Sequence, residues 1–322
     1  MIKLAFAGFR HGHILGLYKS AQQSGEVDVV GSFEEDKAAK KEAEENNGVI
    51  FNYDSYDAML NDEKVDAIAI GDYYGKRGAM VIAALEHGKH VICDKPICTT
   101  FEELDKIENL VKEKNLQVCC MFDLRYMPQI DTVKNMIKNG DIGDVHVISF
   151  TGQHHLGYGS RPGWYFEKNK HGGTINDIAI HGIDLIKFIT GNELTKVNCA
   201  KVWNAFADKE PTFKDCGQFM VEMGKISVMA DVSYAAPKCP GLPTYWDFYF
   251  WGSKGMINFK YKDSLIHVYK DSEEVITCEK TSIGYLSDFV KEINGISTIM
   301  STQSVLSTQR QVLAIQKFAD EY

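Results

Sequence analysis

Two short stretches carry the residue types that alcohol chemistry requires: Asp94-Lys95-Pro96, closing an apolar run, and Asp177-Ile178-Ala179-Ile180-His181, inside a helical pattern. Together they supply a cation, a carboxylate and an imidazole. Oxidation of a secondary alcohol needs such a set, because one group must take the hydroxyl proton and another must hold the developing alkoxide while hydride leaves. The rest of the chain is then expected to hold the hydride acceptor. On a helix, positions 177, 181 and 184 share one stripe, with Ile178, Leu185, Ile186 and Ile189 on another. A solvent-facing stripe would carry such residues too. This helix, however, is otherwise apolar and follows Gly172-Gly173, a pair that lets backbone bend near a ligand. Asp184 reads as structural. Lys95 falls at the C-terminal edge of a parallel strand, where ligands bind in such sheets. Pro96 fixes the turn behind it, with a cis bond open to it.

The elements around these residues define an α/β chain with two parts. Residues 1–122 alternate strand-like runs with helical patterns, the mark of a Rossmann-like, doubly wound parallel sheet. Strands are expected over Lys3 to Ala7, Val27 to Phe33, Ala67 to Ile70, His90 to Cys93 and Gln117 to Met121, with a weaker one near Val49 to Phe51. Helices fit at His13 to Ser24, Asp36 to Asn46, Arg77 to His87 and Phe101 to Lys114, the last with a capping box of Thr100 and Glu103. Residues 123–322 read as an α+β domain for substrate binding and oligomerisation. It has a linking helix to Lys138, a long strand near Val145 to His154 and the helix of Asp177 and His181. Next come strands at Thr195 to Ala205, Gly217 to Met223, Ile226 to Tyr234, Tyr245 to Trp251, Met256 to Lys260, Leu265 to Tyr269 and Glu274 to Cys278, forming a large, mainly antiparallel open sheet. Helices at Gly284 to Ile293 and Gln303 to Tyr322 close the chain, free to pack back on the first domain.

In such a sheet the turn after the first strand faces the cofactor pyrophosphate, and here it is Gly8-Phe9-Arg10-His11-Gly12-His13. The usual fingerprint puts glycines at 8, 10 and 13, so that backbone turns tightly, approaches phosphate and lets the helix pack on the sheet. Gly8 alone matches. Arg10 either faces solvent or pairs with phosphate, Gly12 keeps one small residue in the turn, and the helix N-terminus favours an anion. Glu34, ending the second strand, is placed to meet the adenosine ribose hydroxyls. With Glu35 and Asp36 beside it a 2'-phosphate would be repelled, so NAD is expected over NADP, although Glu35 and Asp36 also suit a helix start.

The chain resembles the Gfo/Idh/MocA family of oxidoreductases, the glucose-fructose oxidoreductase and inositol dehydrogenase type, nearly end to end. The family's helix, Gly-Lys-His-Val and Glu-Lys-Pro run stands here as Ala83-Ala84-Leu85-Glu86-His87-Gly88-Lys89-His90-Val91-Ile92-Cys93-Asp94-Lys95-Pro96. Arg125-Tyr126-Met127-Pro128 and Gly140-Asp141-Ile142-Gly143-Asp144-Val145 look like its interdomain segment, and Gly172 to Asp184 follows its catalytic helix. The resemblance implies that Lys95 binds the reacting hydroxyl near the nicotinamide, Asp177 positions substrate and His181 is the acid-base residue. It also implies a homodimer or homotetramer formed through the open sheet face. One departure alters the cofactor pocket: the family's Thr-Pro-Asn-x-x-His loop is Asp72-Tyr73-Tyr74-Gly75-Lys76-Arg77. Asp72, Tyr73 and Asp94 are accordingly expected to line that pocket.

Between the long strand and the catalytic helix lies a glycine-rich loop from Gln153 to Tyr165, full of donors and rings, a natural sugar-binding element. His154, Arg161, Trp164 and Tyr165 are its substrate candidates, with Arg125 from the linking segment, and Lys238 to Pro243 is a second possible rim. Trp203, Tyr234, Tyr245, Trp246, Phe248, Tyr249, Phe250 and Trp251 suit core and a subunit interface.

Composition narrows the classes. The 322 residues are 44% apolar, and a net charge of -9 with scattered Lys and Arg argues against nucleic acid. No window reaches the roughly 18 apolar residues of a membrane span, and the start is too weakly apolar for a signal peptide; a cytoplasmic protein is expected. The eight cysteines contain no Cys-x-x-Cys pair and suit buried free thiols. His11, His13, His154, His155 and His171 show no close ligand pattern, so no metal is expected. Three functions stay open. The first is an NAD-dependent dehydrogenase acting on a secondary hydroxyl of a sugar, polyol or derivative. The second uses tightly bound NAD transiently for glycoside cleavage, elimination or epimerisation. The third is a catalytically silent NAD-binding sensor.

Overall fold

The computed structural model describes residues 1–239, 245–261, 263–279 and 284–321. The second rim expected over Lys238 to Pro243 lies, beyond Cys239, outside the described residues. Two compact units emerge, the first from Met1–Met121, Asn169–Gly172 and Gly284–Arg310, the second from the described residues of Phe122–Lys168, Gly173–Ile283 and Gln311–Tyr322.

In the first unit the chain runs β1 (Ile2–Ala7), α1 (His13–Ser24), β2 (Val27–Phe33), α2 (Lys37–Asn47), α3 (Tyr56–Leu60), β3 (Ala67–Ile70), α4 (Tyr74–Glu86), β4 (His90–Cys93), α5 (Phe101–Lys114) and β5 (Val118–Cys120). All strand pairings are parallel, in the order β2-β1-β3-β4-β5. A central parallel strand is covered on both faces, which is why Ala67-Ile68-Ala69-Ile70 is apolar and buried throughout. The strand expected at Val49 to Phe51 does not form. There the Asn52 side chain meets the free edge of β2, accepting from Ser32 N–H at 3.0 Å and donating to Val30 C=O at 3.0 Å, where a backbone ladder would otherwise run. The short α3 was not legible in the apolar pattern, although Ser55 caps it by accepting from Ala58 N–H at 3.0 Å. Thr100 caps α5 through Glu103 N–H at 3.2 Å, and the Glu103 carboxylate reaches back to Thr99 N–H at 3.1 Å, one residue beyond the bond of a standard box.

The second unit starts with a 3-10 turn, Asp123–Tyr126, then α6 (Ile130–Asn139) and β6 (Val145–Gln153). A π-helical segment, Ile175–Ala179, continues into α7 (Ile180–Thr190). The strands β7 (Leu194–Trp203), β8 (Cys216–Met223), β9 (Ile226–Ser233), β10 (Asp247–Gly252), β11 (Gly255–Lys260), β12 (Leu265–Tyr269) and β13 (Glu273–Thr277) follow. Among the described residues they form one sheet, β13-β12-β11-β10-β6-β9-β8-β7, antiparallel except at β6 and β9. Alternation sends Ile148, Phe150, Phe219, Val221, Val228, Phe248 and Phe250 to a buried face, where α7 packs with Gly182 against the Phe150 ring. The opposite face leaves Val147, Met220, Met229 and Trp251 exposed. The helices α8 (Tyr285–Ile293) and α9 (Thr302–Glu321) end the chain. No helix among the described residues is long and apolar enough to cross a membrane.

Candidate active site

In the first unit the turn after β1 holds the expected cofactor residues together. Gly8 has φ +81°, and a Cβ there would stand 2.7 Å from Asp72, so glycine is required. Gly12, the one further small residue in the turn, has ordinary helical φ and open space around it, so the close approach is not made there. That role falls to Gly71, where a Cβ would stand 2.4 Å from the Ile14 side chain of α1. Arg10 faces neither solvent nor an empty cradle. It pairs with Glu34 at 3.5 Å, Asp72 at 3.3 Å and Glu35, over the Tyr73 ring at 5.0 Å. Lys76 completes the network, 2.7 Å from Glu35 and 3.1 Å from Asp72.

Glu34 is buried and accepts the Phe9 and Asp36 N–H groups, the latter at 2.7 Å. Burial raises its pKa against the pull of those amides and Arg10. Its oxygens still have lone pairs for ribose hydroxyls, since each accepts a single amide. Asp36 caps α2 through Ala38 and Ala39 N–H, the helix-start reading. The tight glycine, the start of α1 and Glu34 fit a dinucleotide, although the cations of this turn already sit among carboxylates.

At the end of β4, Asp94 meets His11 Nδ1, His13 Nδ1 at 3.2 Å and Arg77 Nη2 at 2.8 Å. Burial alone would raise the Asp94 pKa, but Arg77 and the two imidazoles outweigh it and hold the carboxyl well below its usual range. Burial pushes His11 down to about 4. A neutral His11 that donates Nδ1–H to Asp94 leaves Nε2 to accept the Tyr74 hydroxyl, 3.2 Å away. His11, His13 and Asp94 offer ligand atoms within 4.8 Å of one another. Both Asp94 oxygens are however engaged by cation and backbone, Oδ2 by Arg77 and Oδ1 by Lys95 N–H at 2.8 Å. Arg77 is wholly buried and also donates to the carbonyls of Asp72 at 2.7 Å, Lys95 and Pro96. The Lys95-Pro96 peptide is cis, and the Lys95 ammonium lies 5.9 Å from the Tyr74 ring centre, 4% of the residue exposed.

In the second unit Asp177 lies in the π-helical segment, a distortion frequent at functional sites. Gly172 and Gly173 before it both have positive φ. Gln316 Oε1 accepts the Ile175 and Asn176 N–H groups at 2.9 and 3.1 Å, satisfying the start of the helix. The Tyr234 hydroxyl donates to Asp177, and burial together with that carboxylate raises the Tyr234 pKa well above its usual value. His181, one turn on, has Nδ1 3.5 Å from Asp123 Oδ1, with the Trp246 ring at 5.7 Å and Phe122 at 6.3 Å. Asp184 turns to Arg125, which grips it through Nε at 2.6 Å and through Nη2.

Arg125, expected as a substrate residue, is buried beside Phe122 and Phe188 in this two-point ion pair, a place from which it orders the helix. The loop candidates also differ from exposed sugar platforms. Trp164 and Tyr165 are buried and stacked at 4.1 Å, because the loop folds on its own rings. Arg161 donates to the carbonyls of Leu156 and, at 2.7 Å, His155, with its guanidinium over Tyr165 and Tyr234. His154 lies against Tyr245 at 4.7 Å and Trp246 at 5.6 Å. The structure also sets Asp123, Tyr234 and Arg77 against expected site residues, contacts that the sequence reading did not include. Arg77 had a signal, standing where the family has its loop histidine; Asp123 had none beyond lying two residues before Arg125.

Residues 2–122 match the family model of an oxidoreductase family with an NAD-binding Rossmann fold, and residues 130–258 match the Gfo/Idh/MocA C-terminal domain. The levoglucosan dehydrogenase of Pseudarthrobacter phenanthrenivorans is 32% identical over 146 residues, 44% of this chain and 37% of the relative. The myo-inositol 2-dehydrogenase of Thermotoga maritima is 27% identical over 157 residues, 49% of this chain and 46% of the relative. These matches span less than half of each relative's length. A levoglucosan dehydrogenase structure in complex with NADH and levoglucosan superposes with a TM-score of 0.82 over 99% of this chain and 97% of that one, at 21% identity, a likeness of fold.

Proposed function

The chain belongs to the Gfo/Idh/MocA oxidoreductase family, and from that premise we propose that it is an NAD-dependent dehydrogenase acting on a secondary hydroxyl of a sugar, polyol or derivative. The observation that carries this reading is the Asp177 and His181 pair on a distorted helix start, each side chain beside a polar partner, Tyr234 and Asp123. Bound NAD would supply the hydride acceptor. His181 takes the hydroxyl proton, Lys95 holds the oxygen as negative charge develops, and Asp177 orients substrate. Lys95 stabilises alkoxide more than neutral hydroxyl, so it lowers the barrier and does not merely tighten binding. The rings of Trp246, Tyr245 and His154 line an apolar wall suited to the carbon face of a sugar.

The test is NADH formation with a panel of pyranoses, anhydrosugars and inositols. Steady accumulation of NADH with at least one of them is expected. Product without net NADH would move the reading to transient oxidation, and no turnover with tight NAD binding would move it to a sensor.

The exposed row of Met220, Met229, Trp251 and Val147 supports a homodimer or homotetramer through the open sheet face. Trp251→Glu with Met229→Glu is expected to shift the sedimenting species toward monomer. A cytoplasmic location belongs to the same reading.

A further inference from the structure

We propose that Asp123 is a positioning residue for His181: its carboxylate accepts a hydrogen bond from the imidazole Nδ1–H and so makes Nε2 the atom that takes the substrate proton. The proposal rests on the reading of His181 as the acid-base residue and adds a partner that the sequence did not reveal. A neutral histidine carries its proton on one nitrogen, and the group facing the other atom decides which. Asp123 Oδ1 lies 3.5 Å from Nδ1, a separation that apo sites commonly tighten when substrate binds.

The setting of the pair strengthens the assignment. His181 is only 7% exposed, whereas the Asp123 side chain keeps 53% of its surface in water. The carboxylate therefore stays ionised at little desolvation cost while its field reaches a buried ring. On the helix itself the other two carboxylates are engaged elsewhere, Asp177 by the Tyr234 hydroxyl and Asp184 by Arg125. The strand side contributes the Trp246 ring, with His154 5.6 Å beyond it, and the Asp123 side contributes Phe122. Tyr245 and Tyr261 share the field of Asp123, and burial with that field keeps both phenols neutral, Tyr245 at about 12. Lys187 lies further along α7, beside Glu193 at 3.8 Å.

In the proton step, the substrate O–H bond breaks, its electron pair stays on oxygen, and the proton joins the Nε2 lone pair. The resulting imidazolium is charge-paired with Asp123, which remains unprotonated throughout.

The experiment compares the full-length protein with Asp123→Asn, Asp123→Ala and Asp123→Glu, using the pH profile of kcat/KM and nitrogen NMR of histidine-labelled protein. Asn keeps an acceptor and removes the charge. Its limb for His181 deprotonation is expected about half a pH unit lower, discounted for the exposed carboxylate. Ala removes the acceptor as well. It should lower kcat about tenfold with KM little changed, and it should give a mixed tautomer in place of Nδ1-protonated His181. Glu is expected to recover part of both. Wild-type tautomer and limb in Asp123→Ala, or a loss of kcat with the limb in place in both Asn and Ala, would overturn the proposal. A wild-type protein that oxidises no alcohol would defeat the functional reading instead, while the tautomer comparison would still decide the Asp123 pairing.

Discussion

Each unit holds its chemistry-bearing residue beside a buried arginine and carboxylate, and the two pairs are built differently. In the first unit Arg77 spreads its donors over Asp94 and the carbonyls of Asp72, Lys95 and Pro96, with the Tyr74 face 4.6 Å away. In the second, Arg125 gives Nε and Nη2 to one carboxylate, Asp184, and packs its guanidinium against Phe122 and Phe188. The first arrangement fixes backbone: it sets the path of the chain through Lys95. The second fixes an element: it ties α7, which carries His181, to the 3-10 turn that carries Asp123. The residues proposed as reactive are thus held by charge pairs read as structural, and one arginine can look like the other in sequence.

The comparison breaks most sharply at the reacting groups. Lys95→Ala and His181→Ala should each lower kcat by about a thousandfold, a loss larger than any accompanying change in the unfolding curve. Steady-state rates beside chemical denaturation check this, and a variant that loses activity only by unfolding would assign its residue to structure. Arg77→Leu and Arg125→Leu should reverse the pattern. Each strands a buried carboxylate and should cost about 3 to 5 kcal/mol of stability, visible in urea unfolding. If Arg125→Leu instead kept stability and raised only KM, the sequence reading of Arg125 as a substrate contact would be supported.

A smaller effect separates the two units by pH. His11 titrates in the folded protein near 4, below its ordinary 6.5, so the unfolded chain binds the proton first as pH falls. Stability present above pH 6.5 is therefore lost between pH 6.5 and about 4, and Asp94, also depressed, adds its loss below the ordinary carboxylate range. Thermal melting against pH should show this slope, and His11→Asn should flatten its upper part. An unchanged slope in that variant would remove His11 from the account.

Much of the fold was legible because burial writes a simple pattern. Ala67-Ile68-Ala69-Ile70 reads as a central strand, and His13 to Ser24 and Phe101 to Lys114 match their helices end to end. What failed depended on side-chain partners distant in sequence. Asn52 stands in for a strand at Val49 to Phe51, and Gly71 supplies the close helix packing that the turn after β1 lacks a glycine for. The π-helical offset that holds Asp177 left no periodic trace, since a stripe drawn at 3.6 residues per turn passes through it unaltered. Asp177 and His181 were visible by type and spacing, whereas the ion pair of Arg125 with Asp184 was not, because a basic residue at a site and one buried under it have the same letter.

The cofactor turn is where the central claim stands most exposed, because Arg10 and Lys76 lie among Glu34, Glu35 and Asp72 at the place a dinucleotide would occupy. Calorimetric titration of cofactor-stripped protein with NAD, NADH, NADP and NADPH tests it directly. The account predicts binding of NAD and NADH, at least tenfold tighter than the 2'-phosphorylated forms, with the preference reduced in Glu34→Ala. Equal or tighter binding of NADP and NADPH, or no binding of any of the four, would contradict it.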